Sequence, residues 1–133
     1  ELEKQARDLG VSDKFKFLGV RNDVRDLLYL FDVFTLASAS EGLPYVILEA
    51  MCMKRAVVTT DVGGIPEALE HRRNGWLVKP GDVPQLAEGI NELLADHALA
   101  ERIASAARDT VVNSFTVQRM VDKTEEMYWK LLA

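Results

Sequence analysis

The chain is organised around the segment Ser38-Ala-Ser-Glu-Gly-Leu-Pro-Tyr-Val-Ile-Leu-Glu-Ala-Met-Cys-Met53. It begins with a polar segment that contains glycine, and Pro44 separates this segment from a mostly apolar run. Proline is well tolerated in the first turn of a helix, because the amide hydrogen that it lacks would have no partner there. We therefore predict a loop over 37–43 and a largely buried helix over 44–53.

Apolar runs on both sides of this stretch predict strands. Residues 33–37 read Val-Phe-Thr-Leu-Ala, and residues 56–60 read Ala-Val-Val-Thr-Thr. Segments that are apolar along almost their whole length suit strands covered on both faces, as in a parallel sheet. The loop over 37–43 would then follow the carboxyl end of a strand, where open α/β sheets bind their ligands.

Further outward, strands and helices continue to alternate. The remaining predicted elements are strands over 15–18 and 76–78 and helices over 2–9, 23–30, 65–70, 83–95, 98–112 and 117–132. This order predicts an α/β, Rossmann-like three-layer sandwich with a parallel sheet and a helical C-terminal tail. Four short strands make a thin sheet, and the sequence begins within a helix. We therefore expect a single domain, residues 1–133, cut from a longer protein and lacking its first strands.

Composition narrows the classes of function. Sixteen Lys and Arg stand against 21 Asp and Glu, a net charge of −5, whereas nucleic-acid-binding proteins usually need a basic face. No apolar run reaches the roughly 18 residues of a membrane span, and the N-terminus does not resemble a secretory signal. The single Cys52 excludes an internal disulfide and a cysteine metal cluster. We expect it to be buried in its helix, in a reducing, cytoplasmic environment.

Two acids in the opening stretch are candidates for ligand binding. Glu41 lies just before the predicted helix, and Glu49 lies within its apolar run, where a carboxylate is costly to bury unless it is bonded. The helix start between them would offer free amide groups and a positive dipole, which suit phosphate. Structural roles stay open for both, Glu41 as a surface loop residue and Glu49 in a salt bridge or on a solvated stripe. The glycines of these turns also fit a purely conformational role.

The segment Ser40-Glu-Gly-Leu-Pro-Tyr-Val-Ile-Leu-Glu-Ala-Met51 resembles a motif of the group 1 retaining glycosyltransferases of GT-B fold, in which two glutamates are separated by seven residues. Further matching segments are Phe15-Lys-Phe-Leu-Gly19, Asp32-Val-Phe-Thr-Leu36, Val57-Val-Thr-Thr-Asp-Val-Gly-Gly-Ile-Pro-Glu67, Asn74-Gly-Trp-Leu-Val78 and Pro80-Gly-Asp82. Together they cover nearly the whole chain in the family's order. The chain is thus similar to the C-terminal, donor-binding half of such an enzyme.

The resemblance implies a retaining hexosyltransferase that uses a nucleotide-diphosphate sugar and needs neither a metal nor another cofactor. The acceptor, a glycan or a glycolipid, would bind to an N-terminal domain that this chain does not contain. The full-length protein would be cytoplasmic, with a peripheral contact to the inner face of the membrane as one option. The chain by itself would be inactive.

The resemblance also assigns roles to residues of this chain. Glu41 would be catalytic, contacting hydroxyls of the donor sugar near the reacting carbon, and Glu49 would bond the ribose hydroxyls. The other substrate-binding residues would be Leu18, Gly19, Gly42, Leu43, Tyr45 and Val46. The family's diphosphate-binding Arg and Lys lie upstream of Glu1, and we do not transfer their role to Arg21, Lys54 or Lys79.

Two other classes of protein share parts of this pattern. One is a non-catalytic sugar-nucleotide-binding or scaffolding module of the same fold, and the presence of both Glu41 and Glu49 favours the transferase over it. A phosphoacceptor signalling domain needs acids clustered at strand ends, but the strand over 33–37 is followed by Ser38.

Four residues of the last helix form an apolar stripe: Val121, Met127, Tyr128 and Leu131. It is most simply a packing face, and any exposed part of it predicts self-association. We expect Trp76 in the core and both His71 and His97 at the solvated surface.

Overall fold

The computed structural model describes residues 1–132, and its centre is a three-stranded parallel sheet. The strands are β1 (Val33–Leu36), β2 (Ala56–Thr60) and β3 (Trp76–Val78), in the order β1-β2-β3. The register pairs Phe34 with Val57 and Thr59 with Leu77. All three strands therefore run the same way and end at the same edge of the sheet.

The described helices follow the predicted order. They are α1 (Leu2–Asp8), α2 (Val24–Leu30), α3 (Tyr45–Cys52), α4 (Ile65–Ala68), α5 (Val83–Ala95), α6 (His97–Ser114) and α7 (Val117–Leu132), with a 3₁₀ turn at Ser12–Lys14. Two of them begin at an aspartate whose carboxylate accepts from an amide of the first turn. Asp82 accepts from Gln85 at 3.0 Å and Asp96 from Leu99 at 2.9 Å, which fixes where α5 and α6 start.

Different helices cover the two faces of the sheet. Alternate residues of a strand point to opposite faces, so Val57 joins the core formed with α2, α3, α4 and the second half of α6. Ala56 and Val58 join the core formed with α5 and the first half of α6. The predicted Rossmann-like three-layer α/β sandwich with a helical C-terminal end is thus confirmed.

The predicted strand over 15–18 is not formed. Phe15 has extended backbone angles, but the segment pairs with no strand of the described residues, and the rings of Phe15 and Phe17 stack on each other at 6.1 Å. Both rings are largely exposed, at 57% and 44%. An apolar extended segment becomes a strand only when its amide and carbonyl groups find a neighbour. The described sheet has three strands instead of the predicted four.

Helix α3 buries one face rather than most of its surface. Three residues on one face of the helix are fully buried: Ile47, Ala50 and Met51. Burial of a large apolar side chain stabilises the folded state by roughly 1.5–3 kcal/mol. Cys52 is rotated by about 100° from Met51 and is exposed, so its predicted burial was wrong. Its carbonyl oxygen instead accepts from Arg108 Nη1 at 2.6 Å, which ties α3 to α6.

Trp76 is in the core, as predicted. Its ring lies against α5 at Gly89, where a Cβ atom would approach the indole to 2.4 Å, and the Arg72 guanidinium stacks on it at 4.6 Å from the ring centre. The His71 ring meets the same indole edge-on at 5.1 Å, while its Nδ1 accepts from the Leu77 amide. These contacts give His71 a structural role in spite of its exposure.

Helix α7 contains no buried residue. Its predicted stripe is exposed along its length, from Val121 at 39% to Leu131 at 76%, so it does not pack on the rest of the described chain. Self-association through this stripe stays a prediction. None of the helices within residues 1–132 combines the length and the apolar character needed to cross a membrane.

Candidate functional site

Three loops follow the carboxyl ends of the strands and meet at one edge of the sheet. They comprise residues 37–44, 61–64 and 79–82. The Asp61 amide donates to the Val78 carbonyl at 2.8 Å, and the Thr60 hydroxyl donates to the Ser38 carbonyl at 2.6 Å. A small cleft of about 130 Å³ opens between the first and third of these loops. Its lining residues are Ala37, Thr60, Val78, Lys79, Gly81, Asp82, Val83 and Leu86.

The first two loops touch through their backbones. The Gly64 amide donates to the Gly42 carbonyl at 2.6 Å. Gly63 has φ +55, and a Cβ atom there would lie 1.8 Å from the Glu41 carbonyl oxygen. Only glycine tolerates both the left-handed backbone and this approach. The pair of glycines therefore fixes the path of the chain at Glu41, one of the predicted site residues.

The Glu41 side chain is half-buried within the edge. Its Oε1 atom accepts a hydrogen bond from the Ser38 hydroxyl at 2.7 Å. Among residues 1–132, neither Glu41 nor Glu49 takes part in an ion pair. Glu41 is therefore more than the surface loop residue that the sequence also allowed, because the Ser38 hydroxyl orients its carboxylate.

The start of α3 offers unoccupied amide groups next to Glu41. Pro44 precedes the helix with φ −70 and ψ 126, and no side chain caps it. The first internal bond runs from the Ile47 amide to the Pro44 carbonyl at 3.1 Å, which leaves the amides of Tyr45 and Val46 ahead of it. Free amide groups at a helix start carry partial positive charge and suit an anion.

Glu49 lies one to two turns into α3 and is half-buried. The salt bridge allowed for it by the sequence is absent within the described residues. Every fully buried side-chain nitrogen or oxygen there has a hydrogen-bond partner, so the Glu49 carboxylate must reach solvent where it is unbonded. It is thus available to accept hydrogen bonds from a ligand.

The remaining predicted site residues divide into two groups. Gly42, Leu43, Tyr45 and Val46 lie at the junction of the first loop with α3, and the Tyr45 side chain is 82% exposed. Leu18 and Gly19 are exposed and lie in the extended segment before α2, where Gly19 has φ +64. In the described chain no hydrogen bond connects this segment to the three loops. Their role in base binding stays a prediction.

The three cations that the sequence left unassigned occupy different places. Lys79 follows β3 directly and is exposed at the ligand edge. Lys54 pairs with Glu101 beside Ala56, at the opposite end of β2. Arg21 donates to the Asp23 carboxylate, and this hydrogen bond lowers the pKa of Asp23. Lys79 is the cation of these three that shares the edge with Glu41.

Sequence reasoning missed Ser38 and Thr60 as parts of the site. A hydroxyl three residues before an acid in a tight loop was a usable local signal for Ser38. Thr60 lies 22 residues from its partner, so only the parallel pairing of β1 and β2 reveals it. No group of three or more His, Cys, Asp or Glu is placed to hold a metal within residues 1–132.

Comparison with known proteins gives a consistent result. The family model described as "Glycosyl transferases group 1" matches residues 1–96. The N-acetyl-alpha-D-glucosaminyl L-malate synthase of Bacillus anthracis is 33% identical over 126 residues, which are 95% of this chain and 33% of that protein. The lipopolysaccharide core biosynthesis glycosyltransferase LpsE of Rhizobium meliloti is 36% identical over 99% of this chain and 38% of its own length. The chain therefore spans about a third of these relatives.

Solved structures share the fold closely. HepE of Anabaena, in complex with UDP, superposes with a TM-score of 0.91 and 34% identity over 97% of this chain and 36% of its own. The same protein is known in complex with UDP-glucose, with a TM-score of 0.89. The C-terminal domain of the group 1 protein LpcC of Francisella tularensis has a TM-score of 0.77 and 29% identity, over 87% of this chain and 61% of that one.

Proposed function

Because this chain belongs to the group 1 glycosyl transferases, we propose that it is the C-terminal, donor-binding half of a retaining hexosyltransferase. The donor is a nucleotide-diphosphate sugar, and the acceptor is a glycan or glycolipid held by a second, N-terminal domain. We place the protein in the cytoplasm, with the inner membrane face as the site of a lipid-linked acceptor. The glycosyltransferase activity named for the relatives and the UDP and UDP-glucose complexes of HepE support this class of reaction.

One observation carries the proposal: an uncapped helix start lies between two carboxylates that make no ion pair within the described residues. The amides of Tyr45 and Val46 supply donors for the diphosphate, and Lys79 adds a positive charge at the same edge. Glu41 and Glu49 supply acceptors, which match the hydroxyls of a sugar and of a ribose. The proposed site thus has separate groups for the sugar, the diphosphate and the ribose.

In the mechanism that we propose, these groups position the donor so that its anomeric carbon faces the acceptor. Glu49 holds the ribose and Glu41 holds the sugar ring by its hydroxyls. The helix start neutralises negative charge that develops on the diphosphate as the bond to the sugar breaks. Transfer therefore depends on electrostatic stabilisation and orientation, in which no residue of this chain needs to form a covalent intermediate.

The 133-residue chain by itself is expected to lack transferase activity, because in the proposed enzyme the acceptor binds to the second, N-terminal domain. The measurement is release of nucleoside diphosphate from a panel of nucleotide sugars, with and without glycan acceptors. The protein extended by an N-terminal domain serves as the positive control. Turnover by the chain alone would show that acceptor binding and chemistry both lie within these residues.

Glu49→Gln and Glu41→Gln are expected to have different effects in the protein that carries this chain. Glu49→Gln should weaken binding of both UDP and UDP-glucose by roughly 10-fold, because it removes the charge from hydrogen bonds to the ribose. Glu41→Gln should leave UDP affinity unchanged, lower the affinity for UDP-glucose and reduce kcat by at least about 10-fold. Calorimetric titration and initial rates measure the two effects.

Glu125→Gln on α7 is the matched control, because Glu125 is an exposed helix acid outside the three loops and takes part in no ion pair within the described residues. It should change neither affinity nor kcat. Unchanged UDP affinity in Glu49→Gln would refute the ribose role. Normal nucleotide-sugar binding by the unsubstituted protein, together with no turnover of any donor, would favour the alternative, a non-catalytic sugar-nucleotide-binding or scaffolding module.

A further inference from the structure

We propose that Ser38 is a positioning residue, whose hydroxyl holds the Glu41 carboxylate in the orientation that binds the donor sugar. This inference rests on the proposed function, because it assumes that Glu41 contacts that sugar. Ser38 itself is not assigned a contact with the substrate. Its part is to restrict Glu41 before the ligand arrives.

The hydrogen bond between the two side chains is direct. Ser38 Oγ donates to Glu41 Oε1 at 2.7 Å, and the pair is partly buried. A glutamate in a loop otherwise loses substantial rotational freedom when it binds a ligand, which reduces affinity. A bond to one oxygen removes part of that freedom in advance. Since no bond to Oε2 is present within residues 1–132, the second oxygen stays available to accept from a sugar hydroxyl.

The sheet fixes the position of Ser38 in turn. The Thr60 hydroxyl donates to the Ser38 carbonyl at 2.6 Å, and the Thr59 hydroxyl donates to the Leu36 carbonyl at 2.8 Å. Both threonines are almost fully buried, at 3% and 0% exposure. The last two residues of β2 thus fix the backbone that follows β1, including that of Ser38. The Ser38 hydroxyl in turn fixes the Glu41 carboxylate.

The backbone of Glu41 is restrained from another side. Gly63 lies against its carbonyl, and the Gly64 amide bonds the next residue's carbonyl at Gly42. Backbone and carboxylate are therefore held by different elements, the second loop and the Ser38 hydroxyl. Removing the hydroxyl should free the side chain and leave the backbone in place, so the effect of Ser38 can be separated from a loss of the loop.

The test compares Ser38→Ala, Ser38→Thr and Glu41→Gln, alone and combined, in the protein that carries this chain. The probes are UDP and UDP-glucose, titrated in parallel. Ser38→Ala should weaken UDP-glucose binding by roughly 5-fold and change UDP affinity by less than 2-fold. Ser38→Thr keeps a hydroxyl and should restore affinity to within about 2-fold. On the Glu41→Gln background, Ser38→Ala should add almost nothing.

A second measurement needs no ligand. In the 133-residue chain, the NMR three-bond couplings of the Glu41 side chain should have the values of one dominant rotamer. In Ser38→Ala these couplings should shift to values averaged over several rotamers. Unchanged couplings in Ser38→Ala, or equal losses of UDP and UDP-glucose affinity, would overturn the inference. If Glu41→Gln weakens UDP-glucose binding strongly and Ser38→Ala does not, the positioning role of Ser38 is overturned and the proposed function stands. If Glu41→Gln leaves the affinity for UDP-glucose unchanged, the sugar-binding role of Glu41 itself is overturned.

Discussion

Replacing Gly63 with alanine is expected to lower the free energy of unfolding by about 3 kcal/mol. Two costs add: about 1 kcal/mol for placing a Cβ atom at φ +55, and roughly 2 kcal/mol for displacing backbone at a contact that would otherwise close to 1.8 Å. The atom in the way is the Glu41 carbonyl oxygen, which cannot rotate away as a side chain would. The first and second loops must therefore separate, and nucleotide-sugar binding should be lost with them.

Urea unfolding of the 133-residue chain measures this effect, and Gly10→Ala is its matched control. Gly10 also has positive φ, at +68, but a Cβ atom there meets nothing within 4 Å. Gly10→Ala should therefore show the conformational cost alone, about 1 kcal/mol. Equal losses of stability in the two variants would mean that the contact between the loops contributes nothing.

Asn74→Ala is expected to destabilise the chain by about 2–4 kcal/mol. Asn74 is 4% exposed, and its side chain accepts from the Glu70 amide at 2.6 Å and donates to the Ala68 carbonyl at 3.1 Å and the Thr110 hydroxyl at 2.9 Å. Alanine leaves these groups without their partner in a buried place, which costs more than the bonds themselves contribute. The turn after α4 would also lose its attachment to α6.

Thermal unfolding should show the loss as a decrease in Tm of about 10 °C. Asn113→Ala is the matched control, because Asn113 is exposed on α6 and its side chain makes a single hydrogen bond, to the Asp109 carbonyl at 2.8 Å. It should change stability by no more than about 0.5 kcal/mol. An equal decrease in Tm in both variants would show that the burial of Asn74 does not increase the cost of removing its side chain.

Local sequence patterns were sufficient to predict most helices and strands of this fold. Strands β1 and β2 are apolar because both faces are covered, and Pro44 marks the start of α3 as predicted. The segment 15–18 has the same local character as these strands but finds no neighbour in the described chain. Strand formation requires hydrogen bonds from a second segment, so composition alone could not decide it.

The stretch from Ser38 to Met53 shows the same division within the site. Local patterns are enough to predict that a loop with an acid leads into a helix with a second acid, because proline placement and apolar spacing act over a few residues. How the Glu41 side chain and backbone are held depends instead on contacts between segments that are distant in the sequence. Thr60 and Gly63 reach the loop across the sheet edge, at separations of 22 residues from each of their partners, Ser38 and Glu41. Such contacts arise from the parallel pairing of β1 with β2, which brings distant loops together at one edge.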